Sequence, residues 1–148
     1  MPEKPQKQPT PSKKPTRPHN RAKLVRVRPE KDFTSKRNLN YFMGLSENTA
    51  GTRKLSMNLV EIPAGGRAEP HYHEGFEAGI YILEGRVDNR FGEGLTESVV
   101  TEQGDFLYIP PGVPHQPVNL SEVEPARAIV ARSIATEQEP VVTVEVKE

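Results

Sequence analysis

The feature that most constrains the fold is a series of short apolar runs separated by turn sequences. From residue 39 onward, runs rich in Val, Ile, Tyr and Phe alternate with segments containing Gly and Pro. No segment keeps a helical period with capping residues, so the sequence predicts an all-β sandwich or barrel. The runs predicted to be strands are 39–45, 54–62, 79–91, 98–102, 105–109, 125–134 and 141–146.

The N-terminal segment differs in composition from the rest of the chain. Residues 1–31 carry ten Lys or Arg and two Glu, whereas the remaining residues carry ten basic and 18 acidic side chains. Seven of the 15 prolines lie in residues 1–29. Because periodic apolar positions are lacking up to about residue 21, we expect a disordered, basic, Pro-rich tail at 1–30 and a single domain at 31–148.

The tail and the composition limit the partners that we expect. A basic tail suits nucleic acid or an acidic surface, but no aromatic residues accompany its lysines, which favours a solvated extension over a nucleic-acid partner. The chain has no Cys, which excludes disulfides and thiolate metal sites. It has neither a signal-peptide pattern nor an apolar run that could span a bilayer, so we expect a cytoplasmic protein with no membrane partner.

Three of the four histidines lie at informative positions. His71 and His73 are two residues apart, which places both imidazoles on one face of a strand. Glu77 is four residues after His73, so it would lie on the same face of the strand and add a carboxylate if Gly75 did not interrupt the strand. His115 follows the turn sequence PPGVP, which fixes its backbone. This donor set suits Fe, Mn, Ni, Co or Zn, although a His pair alone also occurs by chance on surface strands.

The sequence around these histidines resembles the two motifs of the cupin family. The first motif, at 65–85, is matched by Gly65, His71, His73 and Glu77. The second motif, at 104–119, is matched by Gly104, Pro110, Gly112, His115 and Asn119. The chain therefore resembles small single-domain bacterial cupins. The resemblance implies a jelly-roll β-barrel with one divalent metal held by His71, His73, Glu77 and His115.

One spacing departs from the family pattern. Seven residues rather than six separate Glu77 from Gly85, so the carboxylate position of the family falls on Ala78. Either a bulge returns Glu77 to the site, or the site has three histidines and an open carboxylate position. We expect the bulge, with Glu74 as a less favourable donor because its odd offset places it on the opposite face.

Several further positions carry structural expectations. We expect positive φ at Gly85 and Gly104, and side-chain hydrogen bonds from Asn119 that tie its loop. The residues expected in the core are Met57, Leu59, Phe106 and Tyr108. The residues that could point toward a ligand are Tyr81, Arg132 and Gln116, whose directions the sequence does not fix.

The resemblance implies a metal-binding barrel and leaves the reaction open. We expect a small metal-dependent enzyme, either dioxygenase-like or a redox-neutral isomerase or cyclase. Its substrate would be a small molecule whose enol or hydroxyl oxygen binds the metal. Glu77 would be the catalytic base if it is not a ligand. The alternative is a non-catalytic ligand-binding or sensor module in which the metal is structural or absent. We also expect a homodimer, formed by exchange of the strand at 39–45.

Overall fold

The computed structural model describes residues 23–30, 33–137 and 140–146. Most of the predicted tail, residues 1–22, lies outside the described residues, and residues 23–30 form no helix or strand. Within the described part of the chain there are eleven strands, one helix of four residues and one short 3₁₀ turn. The predicted all-β class is therefore confirmed. No helix in these ranges is long and apolar enough to cross a lipid bilayer.

The strands form two antiparallel sheets, as expected for a jelly roll. In chain order they are β1 (Thr34–Lys36), β2 (Leu39–Leu45), β3 (Ser56–Ile62), β4 (His71–His73), β5 (Ala78–Glu84), β6 (Arg86–Phe91), β7 (Glu97–Glu102), β8 (Phe106–Ile109), β9 (His115–Asn119), β10 (Ala126–Arg132) and β11 (Val141–Thr143). The helix α1 is Glu47–Ala50 and lies between β2 and β3. The six-stranded sheet has the order β1-β2-β3-β10-β5-β8, and the five-stranded sheet has the order β11-β4-β9-β6-β7.

Gly85 divides the long apolar run at 79–91 into two strands that belong to different sheets. Its φ of 92° is disfavoured for residues with a side chain, and a Cβ at this position would lie 3.0 Å from Ala126. The chain therefore leaves the six-stranded sheet after β5 and enters the five-stranded sheet as β6. The predicted positive φ at Gly85 is confirmed, as is that at Gly104, where φ is 96°.

The core lies between the sheets and takes one face of each strand. Along β3, the buried residues alternate with half-buried ones, and the buried set is Ser56, Asn58, Val60 and Ile62. Met57 and Leu59 therefore lie on the outer face of the sheet. Phe106 and Tyr108, on β8, are 81% and 60% exposed. The expectation that these four residues form the core was wrong, because both faces of β3 and β8 carry apolar residues and alternation does not identify the inner one.

The Asn119 side chain joins the end of β9 to the end of β3 and to the loop at 121–124. Its Nδ2 donates to the carbonyls of Ile62, Pro63 and Glu124 at 3.2, 3.1 and 2.8 Å. Its Oδ1 accepts from the amide of Ser121 at 2.9 Å. The predicted structural role of Asn119 is confirmed, and these bonds fix the end of the strand that begins with His115.

Candidate metal centre

The three motif histidines meet in the interior, on two neighbouring strands. β4 and β9 are antiparallel, and His71 lies directly opposite His115. His73 follows two residues along β4 and so shares the face of His71. All three side chains are buried, and one ring nitrogen from each lies within 4.8 Å of the others.

The backbone holds this arrangement from several sides. The amide of Gly112, in the turn before β9, donates to the carbonyl of His73 at 2.8 Å. Gly112 has a φ of 81°, which Gly adopts without strain. On its other side His115 pairs with Phe91 of β6, and His73 pairs with Val141 of β11. The positions of the histidines therefore follow from hydrogen-bonded strand pairing.

Two of the imidazoles have their orientation fixed by backbone carbonyls. His71 Nδ1 lies 2.8 Å from the carbonyl of Glu69, and His115 Nδ1 lies 2.9 Å from the carbonyl of Val113. A carbonyl can only accept, so Nδ1 of a neutral ring carries the proton in both cases. The lone pair is then on Nε2. A hydrogen bond from Nδ1 to a carbonyl is how proteins commonly orient a histidine whose Nε2 binds a metal.

His73 differs from the other two histidines. Its ring stacks on buried Phe76, with centroids 4.6 Å apart and an interplanar angle of 16°. Its Nδ1 is buried and has no hydrogen-bond partner among the described residues. An orphaned nitrogen in a group of three histidines is satisfied by a bound ion or a water molecule. The residues present therefore fit a metal.

The buried environment keeps the histidines neutral. Burial is the main cause that lowers the pKa of His71 and of His73 to about 3, and the charge of a protonated His115 adds to the effect. The positive charges of Arg37 and Arg132 lower both pKa values further. Burial also lowers the pKa of His115. Neutral imidazole is the form that binds metals, so the site is ready for a cation near neutral pH.

The structure leaves Glu77 outside the histidine group. β4 ends at His73, and Gly75 has a φ of 86°, so the parity that linked Glu77 to the histidines is lost. The Glu77 side chain is exposed, and its Oε1 accepts a hydrogen bond of 2.7 Å from Tyr108, which raises the pKa of the phenol. Ala78 is instead buried at the head of β5. The arrangement is thus that of three histidines with an open carboxylate position. Glu74, the other candidate donor, is exposed.

A small cavity lies beside the histidines. Its volume is about 80 Å³, enough for several water molecules or a small organic ligand. Most of its wall is aliphatic and comes from both sheets, including Val60 and Ala78 of the six-stranded sheet and Val87 of the five-stranded sheet. A second apolar cavity of about 230 Å³ also reaches His115. The two cavities share four residues: Asn89, Ile109, His115 and Pro117.

The sequence offered Tyr81, Arg132 and Gln116 as residues that could point toward a ligand. Of these three, Arg132 lines the cavity beside the histidines. It is 5% exposed, and its guanidinium lies 5.8 Å from the ring centroid of Tyr41. With the Asn58 amide oriented to satisfy both of its ends, Asn58 Oδ1 accepts from Arg132 Nη1 at 2.6 Å. Tyr81 lies on the outer surface against Phe106, and Gln116 donates to the carbonyl of Ala68 at 2.9 Å.

The Cupin domain family matches residues 58–132, about half of the chain, and the match spans all three histidines. The chain belongs to the cupin family. None of the curated protein sequences matches this cupin. The resemblance noted in the sequence is therefore confirmed by the family match and by the fold.

Solved structures share the fold of this cupin at low sequence identity. A variant of oxalate decarboxylase from Bacillus subtilis superposes with a TM-score of 0.65 and 17% identity over 77% of this chain. This cupin spans only 30% of the length of that enzyme. The polyketide cyclase RemF from Streptomyces resistomycificus has a TM-score of 0.63 and 23% identity, covering 85% of this chain and 87% of its own. A sugar phosphate isomerase from Silicibacter pomeroyi has a TM-score of 0.59 and 20% identity, covering 74% and 67%.

Proposed function

We propose that this cupin is a small metal-dependent enzyme whose single divalent transition metal is held by His71, His73 and His115. The supporting observation is the pair of Nδ1 contacts to backbone carbonyls, which leaves Nε2 of His71 and of His115 with its lone pair available. The orphaned Nδ1 of His73 supports the same proposal. Three protein ligands leave coordination positions for a substrate.

A divalent metal bound there supplies a Lewis acid that polarises an enol or hydroxyl oxygen of a bound molecule. The chain contributes the environment. The carbonyls of Glu69 and Val113 hold two imidazoles in one tautomer, so no proton has to be lost before a cation binds. The aliphatic wall lowers the local polarity, which strengthens every electrostatic interaction with the bound molecule.

The two cavities suggest how a substrate is placed. A polar group beside the histidines would occupy the smaller cavity. An apolar body would extend past His115 into the larger one, where Phe91, Leu107 and Val113 form part of the wall. The substrate class that fits is a small organic molecule with one enol or hydroxyl oxygen and an apolar portion.

We favour the redox-neutral form of this chemistry over the dioxygenase-like form. Two structural neighbours that match over two thirds or more of both chains are described as a cyclase and an isomerase. An isomerisation leaves the oxidation level of its substrate unchanged. The oxalate decarboxylase of B. subtilis is described with Mn(II) centres, which favours manganese among the metals that three imidazoles accept.

The experiment is deuterium exchange into a panel of small enolisable compounds. Purified, manganese-loaded protein is incubated with each compound in D₂O, with NMR detection and a parallel oxygen electrode. We expect exchange or rearrangement of at least one compound without oxygen uptake, and at least a hundredfold loss of rate in His115→Ala. Oxygen consumption coupled to substrate loss would favour the dioxygenase-like form instead.

A non-catalytic binding module is the second candidate, and the position of Glu77 favours it. The predicted base is exposed and hydrogen-bonded to Tyr108, and no acidic residue lines the smaller cavity among the described residues. A catalytic role for Glu77 therefore stays a prediction. One equivalent of bound metal, together with compounds that bind at the histidines and undergo neither exchange nor rearrangement, would support the binding module.

A further inference from the structure

We infer that Asn89 selects the molecule that binds beside the histidines, by accepting a hydrogen bond from it at Oδ1. This inference rests on the proposed function and narrows its substrate class. Besides the oxygen placed at the histidines and the apolar portion, the bound molecule carries a second polar group that donates a hydrogen bond, such as a second hydroxyl group.

The Asn89 side chain is held in one orientation by β6 and β7. It lies on β6 and is 9% exposed. Its Nδ2 faces three acceptors, which are the carbonyl of Val87 at 3.2 Å, the carbonyl of Val99 at 3.0 Å and Oγ1 of Thr101 at 3.0 Å. Two of the three are carbonyls, which can only accept, so the nitrogen and not the oxygen of the amide faces them. The orientation of the amide is therefore fixed.

The same hydrogen bonds leave Oδ1 of Asn89 without a donor. No described residue donates a hydrogen bond to this atom, whereas Asn119 uses both ends of its amide. An amide oxygen that is removed from water and has no donor is costly. A ligand that displaces water from this oxygen must supply a donor of its own.

Asn89 lies beside the histidine group, where the two cavities meet. On β9 its paired residue is Pro117, two positions after His115. Paired residues of antiparallel strands share a face, so Asn89 and His115 are diagonal neighbours on the inner face of the sheet. Of the four residues that line both cavities, the other two, Ile109 and Pro117, are apolar. A molecule that spans both cavities therefore passes two polar side chains, those of His115 and Asn89.

The other polar groups near this junction already have partners. The hydroxyl of Tyr108, which also lines the larger cavity, donates to Glu77 and is on a residue that is 60% exposed. Nδ1 of His115 is held by the carbonyl of Val113. A donor group on the ligand therefore finds its acceptor in Asn89. An analogue of the same shape without the donor leaves Oδ1 unpaired, and in this way a site rejects close analogues.

The test compares resorcinol with 3-fluorophenol, which has the same number of heavy atoms but carries a fluorine in place of one hydroxyl group. Both compounds are titrated into the ¹⁵N-labelled full chain, metal-free and loaded with one equivalent of zinc, and the affinities are read from NMR spectra. We expect zinc-loaded wild type to bind resorcinol about tenfold more tightly or better, because one buried hydrogen bond is made or lost. The metal-free protein should keep a preference of the same sign.

Variants assign the preference to Asn89. Asn89→Leu keeps the approximate size of the side chain and removes the amide. It should lose about tenfold in resorcinol affinity and leave the affinity for 3-fluorophenol within about twofold. The matched control is Asn48→Leu, since Asn48 lies in α1 and lines neither cavity. It should bind both compounds as wild type does. The side-chain amide signal of Asn89, assigned by its absence in Asn89→Leu, should shift more with resorcinol than with 3-fluorophenol.

Two results would overturn the inference. One is equal affinity of the wild type for resorcinol and 3-fluorophenol, or binding of neither, which needs no variant and is unaffected if Asn89→Leu fails to fold. The other is an unchanged resorcinol preference in folded Asn89→Leu. Failure of the proposed function is a separate result: the protein would retain no zinc after dialysis, while the metal-free titration would still decide whether Asn89 selects a hydrogen-bond donor.

Discussion

His71 and His115 are directly opposed residues of neighbouring antiparallel strands, and their ring centroids lie 4.5 Å apart. Each ring is held by the carbonyl of the residue two positions before it. His71 and His115 are 44 residues apart in the chain, yet both rings are oriented by the same local hydrogen bond. The pairing of β4 with β9 therefore brings together two imidazoles whose tautomers are set before any metal binds.

The metal-free protein should lose stability as the pH falls from 6.5 toward 3. His71 and His73 have a folded-state pKa of about 3 against 6.5 when unfolded, so in this range the unfolded chain binds protons that the folded chain does not. Linkage gives a maximum slope of about 1.4 kcal/mol per pH unit for each histidine. Urea unfolding at pH 7, 5.5 and 4.5 measures how the free energy of unfolding depends on pH.

The control for this pH dependence is the double variant His71→Gln/His73→Gln, which cannot titrate at these positions. Its stability should depend less steeply on pH over the same interval. Parallel pH profiles for the variant and the wild type would contradict the assignment of the effect to these two residues.

Asn119→Ala should destabilise the domain by about 2 kcal/mol or more, because three backbone carbonyls lose a donor at a buried position. Asn40→Ala is the comparison, since Asn40 is half-buried and its Nδ2 donates to a single acceptor, Glu61. Its loss should cost well under half as much in the free energy of unfolding. Equal losses measured by urea unfolding would refute the bridging role of Asn119.

Gly85→Ala should destabilise the protein by about 2 kcal/mol or more, since the φ of 92° disfavours a side chain and the added Cβ would crowd Ala126. Gly79→Ala, near the start of β5, is the matched control because a Cβ there meets no atom within 4 Å. Thermal unfolding of both variants checks the difference. A Gly85→Ala protein as stable as Gly79→Ala would contradict the close approach.

The homodimer expected from the sequence stays a prediction. The strand proposed for exchange, β2, is paired on both sides within its own chain, by β1 and β3. Pairing of β2 therefore does not require a partner. Sedimentation equilibrium should give twice the chain mass of 16.5 kDa if the expectation is right, and the single-chain mass if it is wrong.

The sequence was sufficient to predict what depends on strand parity and turn chemistry. The spacing of His71 and His73 placed both on one strand face, and the turn before His115 fixed its entry to β9. The same reasoning did not place Glu77. It assumed that the strand of His71 and His73 continues to Glu77, but Gly75 has a positive φ and interrupts the alternation of side chains. The local sequence does not indicate whether a bulge returns Glu77 to the face of the histidines.

The direction of a strand face was the other limit. β8 carries Phe106 and Tyr108 on one face and Leu107 and Ile109 on the other, so both faces are apolar and only the tertiary fold decides which is inside. Arg132 was a candidate without a direction for the same reason. Its register opposite Ala78 is a property of the pairing of β10 with β5, whose residues lie about 50 positions apart in the chain.

The location inferred from the missing signal and membrane segments also stays a prediction, as does the role of the basic tail. Comparing nucleic-acid affinity and its salt dependence with and without residues 1–30 would test the tail directly. We expect no change, consistent with a solvated extension.

The central claim is that His71, His73 and His115 bind one divalent transition metal. The most direct measurement is elemental analysis of protein purified without a histidine tag, beside His71→Ala, His115→Ala and the control His19→Ala, which removes the fourth histidine of the chain. We predict about one equivalent of metal in the wild type and in His19→Ala, and at least tenfold less in the other two. A wild type that holds no metal even after reconstitution, or full metal content in His71→Ala and His115→Ala, would contradict the claim.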